Sequence, residues 1–455
     1  MDYENGKPKH CFVHFEPDMC LGCSLCVKRC PTRAIRVRNN KATIKNALCI
    51  GCGECIRICE SGAITASTSE LNSLNSDKIT IALVSPVLYS QFPGVLPRDI
   101  LQGLKNMGFT HAVDMSYYFE MFQWATAEYI SRNRKTGESP WPLISPVCPV
   151  VLRLIVCRFP SLLPHVHPIM RPVALMARDV MTQFKVHYGL EDNDILLYYI
   201  NPCPSKMGVP KKELEKGGQA AGVHSTGALG INDIYAELSR QIKHCEKSDK
   251  IPFAQAGFEF EQCTSGGGLL WSMTGGEAEA TGLDKILAVA GLNETITYLE
   301  KIELGLFNDL EYIEFRVCRE GCIGGALNAI DKYIAKSAAL KMAKTLGVGT
   351  RLNRERVLRL YDKNWFFPKN SPQAIKEMGG QKARTFSFEE LKTIEKIVNA
   401  IDGKNCGACG SPDCRAFAED LLRGEASPDD CVYLKIRGAK DEEIFKKINS
   451  STKSS

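Results

Sequence analysis

No stretch of this 455-residue chain approaches the roughly 18 consecutive uncharged apolar residues that a membrane-crossing helix needs. The opening residues, Met1-Asp2-Tyr3-Glu4-Asn5-Gly6-Lys7, lack the apolar core of a secretory signal. Both absences point to a cytoplasmic chain. There is also no large excess of charge of one sign: 57 Lys and Arg against 52 Asp and Glu leave a formal +5. So small a surplus gives no signature of a nucleic-acid or membrane-surface partner. No kinase, phosphatase or DNA-binding module is visible. The apolar and charged fractions, 44% and 24%, are those of ordinary globular protein, and the length predicts roughly three domains. Cysteine is not scarce: there are 20. In a small secreted protein that would mean a disulfide framework. In a long cytoplasmic chain with clustered spacings it means metal ligands.

Three regions follow one another. Residues 1–75 are cysteine-dense and turn-rich, and the polar stretch from Thr68 to Lys78, which spans the boundary, reads as a linker. Hydrophobic burial alone could hardly fold this region, so metal clusters must supply stability. Residues 76–371 alternate strand-like runs (Ile79 to Val84, Ile195 to Ile200) with amphipathic helical stretches (Tyr117 to Ser131, Met170 to Phe184). That alternation predicts an α/β fold of parallel sheets with helices on their faces. Residues 372–455 hold a charged helix, Phe388 to Ile401, a final cysteine set, and a Ser/Lys-rich tail after Lys446 that reads as disordered.

The N-terminal cysteines form an internal repeat: Cys20-x2-Cys23-x2-Cys26-x3-Cys30-Pro31, then Cys49-x2-Cys52-x2-Cys55-x3-Cys59. This is the spacing of bacterial two-cluster ferredoxins, in which three close cysteines wrap one 4Fe–4S cubane and the fourth reaches the other. Cys20, Cys23, Cys26 and Cys59 should therefore hold one cluster, and Cys49, Cys52, Cys55 and Cys30 the second. Glu60 stands where the second run would carry the usual proline. Structural zinc is the competing reading, but zinc sites usually draw on two separated pairs. The C-terminal set, Cys406-x2-Cys409-x4-Cys414-x16-Cys431, resembles the 4Fe–4S motif of corrinoid iron–sulfur proteins, with Asn405-Cys406-Gly407 and Cys414-Arg415-x-Phe417 as its recognisable parts. Its spacing is less diagnostic, and zinc stays open there. Each thiolate-bound cubane carries about −2 when oxidised, so four would add about −8 and reverse the sign of the formal charge.

Four further cysteines lie in dispersed contexts: Pro146-Val147-Cys148-Pro149, Asn201-Pro202-Cys203-Pro204-Ser205-Lys206, and Glu314-Phe315-Arg316-Val317-Cys318-Arg319-Glu320-Gly321-Cys322. Each follows a strand-like run, where open α/β sheets place ligands. Cys318 and Cys322 are four apart, so a helical turn would put both on one side, and Gly321, Gly324 and Gly325 permit close backbone approach. Together with the Gly-rich segment Ser265 to Gly276, these motifs resemble the catalytic domain of FeFe (iron-only) hydrogenases. The resemblance implies a two-lobed α/β core, an N-terminal α+β ferredoxin-like domain and a small helical C-terminal Fe–S domain. It implies that Cys148, Cys203, Cys318 and Cys322 hold an H-cluster: a 4Fe–4S cubane bridged, through Cys322, to a diiron unit with carbon monoxide, cyanide and a dithiolate. Lys206 matches the lysine that hydrogen-bonds a cyanide. The bland alternative for the four cysteines is a set of buried inert thiols. Cys11, Cys157, Cys245 and Cys263 have no such context and read as structural.

The neighbours depart from the family. Val147 stands where a proton-relaying cysteine is usual, and Phe119 at the expected place of the next relay glutamate, with Glu120 adjacent. General acid–base steps are worth roughly 10²–10⁴-fold, so turnover should be slow. Asn201 and Arg316 replace methionines; Arg316 either pairs with an anionic ligand or forms a salt bridge to Glu314 or Glu320. The reading is an FeFe-hydrogenase-like protein of the sensory or regulatory type. Its implied partners are H2, protons, a redox protein such as ferredoxin, the hydrogenase maturation proteins and a separate signalling partner. One rival is a working ferredoxin-linked hydrogenase with a proton route through Glu120, Ser145 or water. The other is a non-enzymatic hydrogenase-like iron–sulfur assembly factor.

Overall fold

The computed structural model describes residues 3–4, 7–8, 12–69, 74, 78–136, 140–207, 225–245, 265–349, 352–368 and 386–437. Cys11, Cys263, part of the Thr68–Lys78 linker and the tail after Lys446 lie outside these residues, and Cys245 lies in a described helix whose side chain is not. The chain forms two compact units. The first is Met1–Cys49, Gly53–Thr65 and Gly380–Ser455; the second is Ile50–Cys52 and Ala66–Gly379.

The second unit has the expected α/β character. One parallel sheet has the strand order Ser225–Gly230, Ile195–Asn201, Ile79–Val84, His111–Asp114. A second parallel sheet has the order Ile286–Ala290, Tyr312–Arg316, Leu143–Ile144. Ile79-Thr80-Ile81-Ala82-Leu83-Val84 is almost wholly buried, as a strand covered on both faces must be. The helix Ser116–Thr136 and the helix Pro172–Tyr188 pack their apolar faces on the larger sheet. Pro172 at the first helical position and left-handed Gly189 past the last set the bounds of the latter. Separate apolar clusters fill each sheet's flanks.

The first unit contains an antiparallel hairpin, Ile35–Arg38 with Lys41–Ile44, and the pair Val13–Phe15 with Ile64–Ala66. Two short helices, Leu25–Arg29 and Glu54–Ile58, pack against each other. Its C-terminal part is helical: Phe388–Ala400, begun by the Ser387/Glu390 capping box, then Cys414–Leu422 and Val432–Arg437. Among the described residues, no helix is long and apolar enough to cross a membrane.

Candidate metal centre

In the second unit each dispersed motif leaves the carboxyl end of a parallel strand. Cys148 follows Leu143–Ile144 and caps the helix Pro149–Arg158. Cys203 follows Ile195–Asn201 in the other sheet. Cys318 and Cys322 follow Tyr312–Arg316. They do not share an α-helical turn, as the spacing had predicted. Glu320 is left-handed at φ 67°, which breaks the path before the 3₁₀ turn Gly321–Gly324. The third motif closes directly on the second: a Cβ on Gly325 would collide with the Pro202 carbonyl oxygen.

The four thiols converge. Burial, then the neighbouring Cys318, Cys148 and Cys322, push the Cys203 thiol up to about 12, against the pull of Lys206. Lys206 Nζ lies 3.8 Å from Cys322 Sγ. Burial works against its charge, but Cys322, Tyr199 and Cys203 hold the ammonium above its ordinary range. Arg171 is buried in the same region. Burial, aided by Arg153, pulls its guanidinium down to about 9, while Cys148 and Cys203 oppose. Buried cations around four thiols form a setting suited to an anionic group, and a thiolate-ligated cluster is one. The amino end of the Pro149–Arg158 helix adds a favourable dipole.

Arg316 is fully buried and lies between Glu277 and Glu314. Its Nη2 donates to Glu277, and its Nε donates to Glu314 at 3.0 Å. Burial opposes its charge, but the two carboxylates raise the guanidinium above its ordinary range. Glu314 also accepts N–H donors from Gly275, Glu277 and Ala278. Of the anticipated partners, Glu314 is present, whereas Glu320 pairs with Lys336. Arg316 Nη1 remains buried without a hydrogen-bond partner.

Asn201 serves its own loop: its Oδ1 accepts the Cys203 N–H at 3.0 Å, and its Nδ2 donates to the Tyr199 carbonyl at 3.4 Å. Val147 is buried, with its N–H donating to Ser145 Oγ at 3.2 Å. Phe119 stacks on Trp271 with centroids 4.3 Å apart. Glu120 is buried and accepts from Ser265 Oγ at 2.8 Å. Glu277 and Tyr312 were not anticipated. Ser145 Oγ and Tyr312 Oη, the latter at 2.6 Å, both donate to Glu277 Oε1. A glutamate directly after the Gly-rich segment was the available signal for Glu277. Cys157, expected to be structural, is exposed.

In the first unit, Cys20, Cys23, Cys26 and Cys59 line one cavity, about 340 Å³ counting the solvent-open space at its mouth. Burial first, then Cys49 and Cys30, push Cys55 up to about 12, which places Cys30 beside the second run. Cys406, Cys409, Cys414 and Cys431 line another cavity of about 320 Å³. Among the described residues no three His, Cys, Asp or Glu converge on a point that would hold a single metal ion.

Known proteins match this arrangement segment by segment. Residues 78–226 match the family of the iron only hydrogenase large subunit, C-terminal domain; residues 12–60 match the 4Fe-4S dicluster domain; residues 401–433 match an Fe-S cluster family. The periplasmic iron hydrogenase large subunit of Nitratidesulfovibrio vulgaris is 26% identical over 294 residues, 59% of this chain and 66% of its own length. A component of the ion-translocating oxidoreductase complex of Rhodobacter capsulatus is 47% identical over 53 residues, 12% of this chain. The match spans only 28% of that relative's length. The fold is similar to that of apo FeFe-hydrogenase from Chlamydomonas reinhardtii, with a TM-score of 0.52 at 14% identity, over 68% of this chain and 98% of that one. The central segment is thus similar to the iron-only hydrogenase large subunit, and the segments on either side of it match iron–sulfur families.

Proposed function

We propose that this protein binds H2 at an H-cluster held by Cys148, Cys203, Cys318 and Cys322, turns it over slowly, and reports hydrogen or redox state to a separate partner. The observation that carries the reading is the convergence of four thiols under buried cations, combined with an apolar wall of Val147 and stacked Phe119 and Trp271. When bound, the cluster would supply the redox chemistry of H2. Lys206 would donate to an anionic ligand, Asn201 would orient the Cys203 loop, and Arg316, fixed by its two glutamates, would set the local potential. Two clusters of the N-terminal repeat and one of the C-terminal set would carry single electrons to a ferredoxin-like partner in the cytoplasm, after assembly by the hydrogenase maturation proteins.

A working hydrogenase is the second reading, because Ser145 lies between the Val147 N–H and the Glu277 carboxylate and offers a polar route where the usual one is closed. Hydrogen evolution by the matured protein with a strong reductant separates them. Slow turnover supports the sensory reading, and rates of ordinary hydrogenases overturn it.

A further inference from the structure

The C-terminal cysteine loop is seated on the hairpin that walls the first N-terminal cavity. The Val37 N–H donates to the Gly410 carbonyl at 2.8 Å, extending the edge of the Ile35–Arg38 strand. Gly410 is left-handed at φ 74°, and a Cβ there would collide with the Val37 carbonyl oxygen. Only glycine allows this approach. Arg38 donates to the Cys409 carbonyl through Nη1 and to Ser411 Oγ through Nη2 at 2.8 Å.

Beneath the contact lies Asp420, with 1% of its side chain exposed. It accepts from Arg36, itself 4% exposed, from Arg38 at 3.3 Å and from Lys45 at 2.6 Å. Arg33 pairs with Asp413 at 2.8 Å, and Asp413 lines the C-terminal cavity. Thus four cations of the N-terminal segment grip acidic groups of the C-terminal one. Breaking so buried a set by removing one partner leaves an uncompensated charge, so the two segments are held in one register.

Val37 also lines the cavity ringed by Cys20, Cys23, Cys26 and Cys59. Gly410 follows Cys409 in the loop around the other cavity. A single backbone hydrogen bond therefore joins the walls of the two cysteine cavities. We infer that the Val37–Gly410 contact is an electron bridge between the C-terminal cysteine set and the Cys20–Cys23–Cys26–Cys59 set, and that Asp420 is the positioning residue that holds it. One electron crosses from a reduced cubane to an oxidised one; no bond forms or breaks and no proton moves. The Arg and Lys groups at the contact screen the repulsion between the two anionic clusters. The C-terminal set is then a port in series with the dicluster domain, open to a one-electron carrier protein.

This inference rests on the cluster-binding reading and not on hydrogen chemistry, so the test uses the full chain loaded with iron and sulfide but produced without maturation proteins. Electron paramagnetic resonance of the fully reduced protein should show magnetic interaction between clusters. Cys414→Ala, which deletes a C-terminal ligand, defines the part of that interaction owed to the C-terminal cluster. Asp420→Ala and Gly410→Ala should each abolish the same part while iron and sulfide content stay unchanged. An interaction spectrum that Cys414→Ala leaves untouched overturns the bridge, as does one that survives in both contact variants. If both contact variants lose the C-terminal iron, the contact is a brace for the cluster and the bridge assignment falls.

Discussion

Replacing Arg316 by methionine, the residue usual in catalytic relatives, should damage this protein. Arg316 and Glu277 are 2% and 0% exposed. Without the guanidinium, Glu277 keeps only the hydroxyls of Ser145 and Tyr312, and its charge is left buried and unbalanced. Breaking a buried pair in this way costs about 3–5 kcal/mol. Glu314 suffers less, because three backbone N–H groups still hold its carboxylate. The double variant Arg316→Met with Glu277→Val removes both members, so the two changes should be less than additive and the double variant should melt above Arg316→Met alone. By the usual relation between stability and melting, the single variant should melt on the order of 10 °C lower. Anaerobic thermal unfolding of cluster-loaded wild type and the three variants measures this. A single variant that melts within about 1 °C of wild type refutes the charge accounting, as does a double variant no better than the single.

Other expectations follow from the same contacts. Val147→Cys should raise hydrogen turnover, by at most the roughly 10²–10⁴-fold of one acid–base step. The gain should be larger when Phe119→Glu opens the wall behind it, and an unchanged rate in both counts against the blocked-relay account. Cys59→Ala should remove the cluster of Cys20, Cys23 and Cys26 and spare the other, seen as loss of one cubane's iron; loss of the Cys49 cluster instead would reverse the crossed pairing. Burial holds the His167 imidazole down to about 3, so below about pH 6.5 the unfolded chain takes a proton that the fold refuses. Stability from this group is full near neutral pH and falls by up to about 1.4 kcal/mol per pH unit between about 6.5 and 3. His167→Leu should flatten the melting profile between about pH 7 and 5, and an equally steep profile would show that the proton goes elsewhere.

The parallel-sheet core was legible because Ile79 to Val84 and Ile195 to Ile200 are largely apolar, β-branched or aromatic runs, each followed within two residues by proline. The terminal cysteine sets were legible because their short fixed spacings bring the thiols around one cavity. What the spacing could not show was backbone sign. Cys318 and Cys322 were expected on a helical turn, but left-handed Glu320 replaces it. The Glu277–Arg316–Glu314 group joins residues 39 apart, and Asp420 meets Arg36 across 384 residues. Such pairings depend on tertiary register, which periodicity does not carry. Asn201 faced the same limit: its polarity was plain, but its bond to the Cys203 N–H follows from the turn after the strand.

Infrared spectroscopy of the protein coexpressed with the hydrogenase maturation proteins tests the H-cluster assignment most directly. Bound carbon monoxide and cyanide bands should appear, and they should vanish in Cys322→Ala while the terminal cubanes keep their iron. A matured protein that shows no such bands contradicts the assignment of a diiron site to Cys148, Cys203, Cys318 and Cys322.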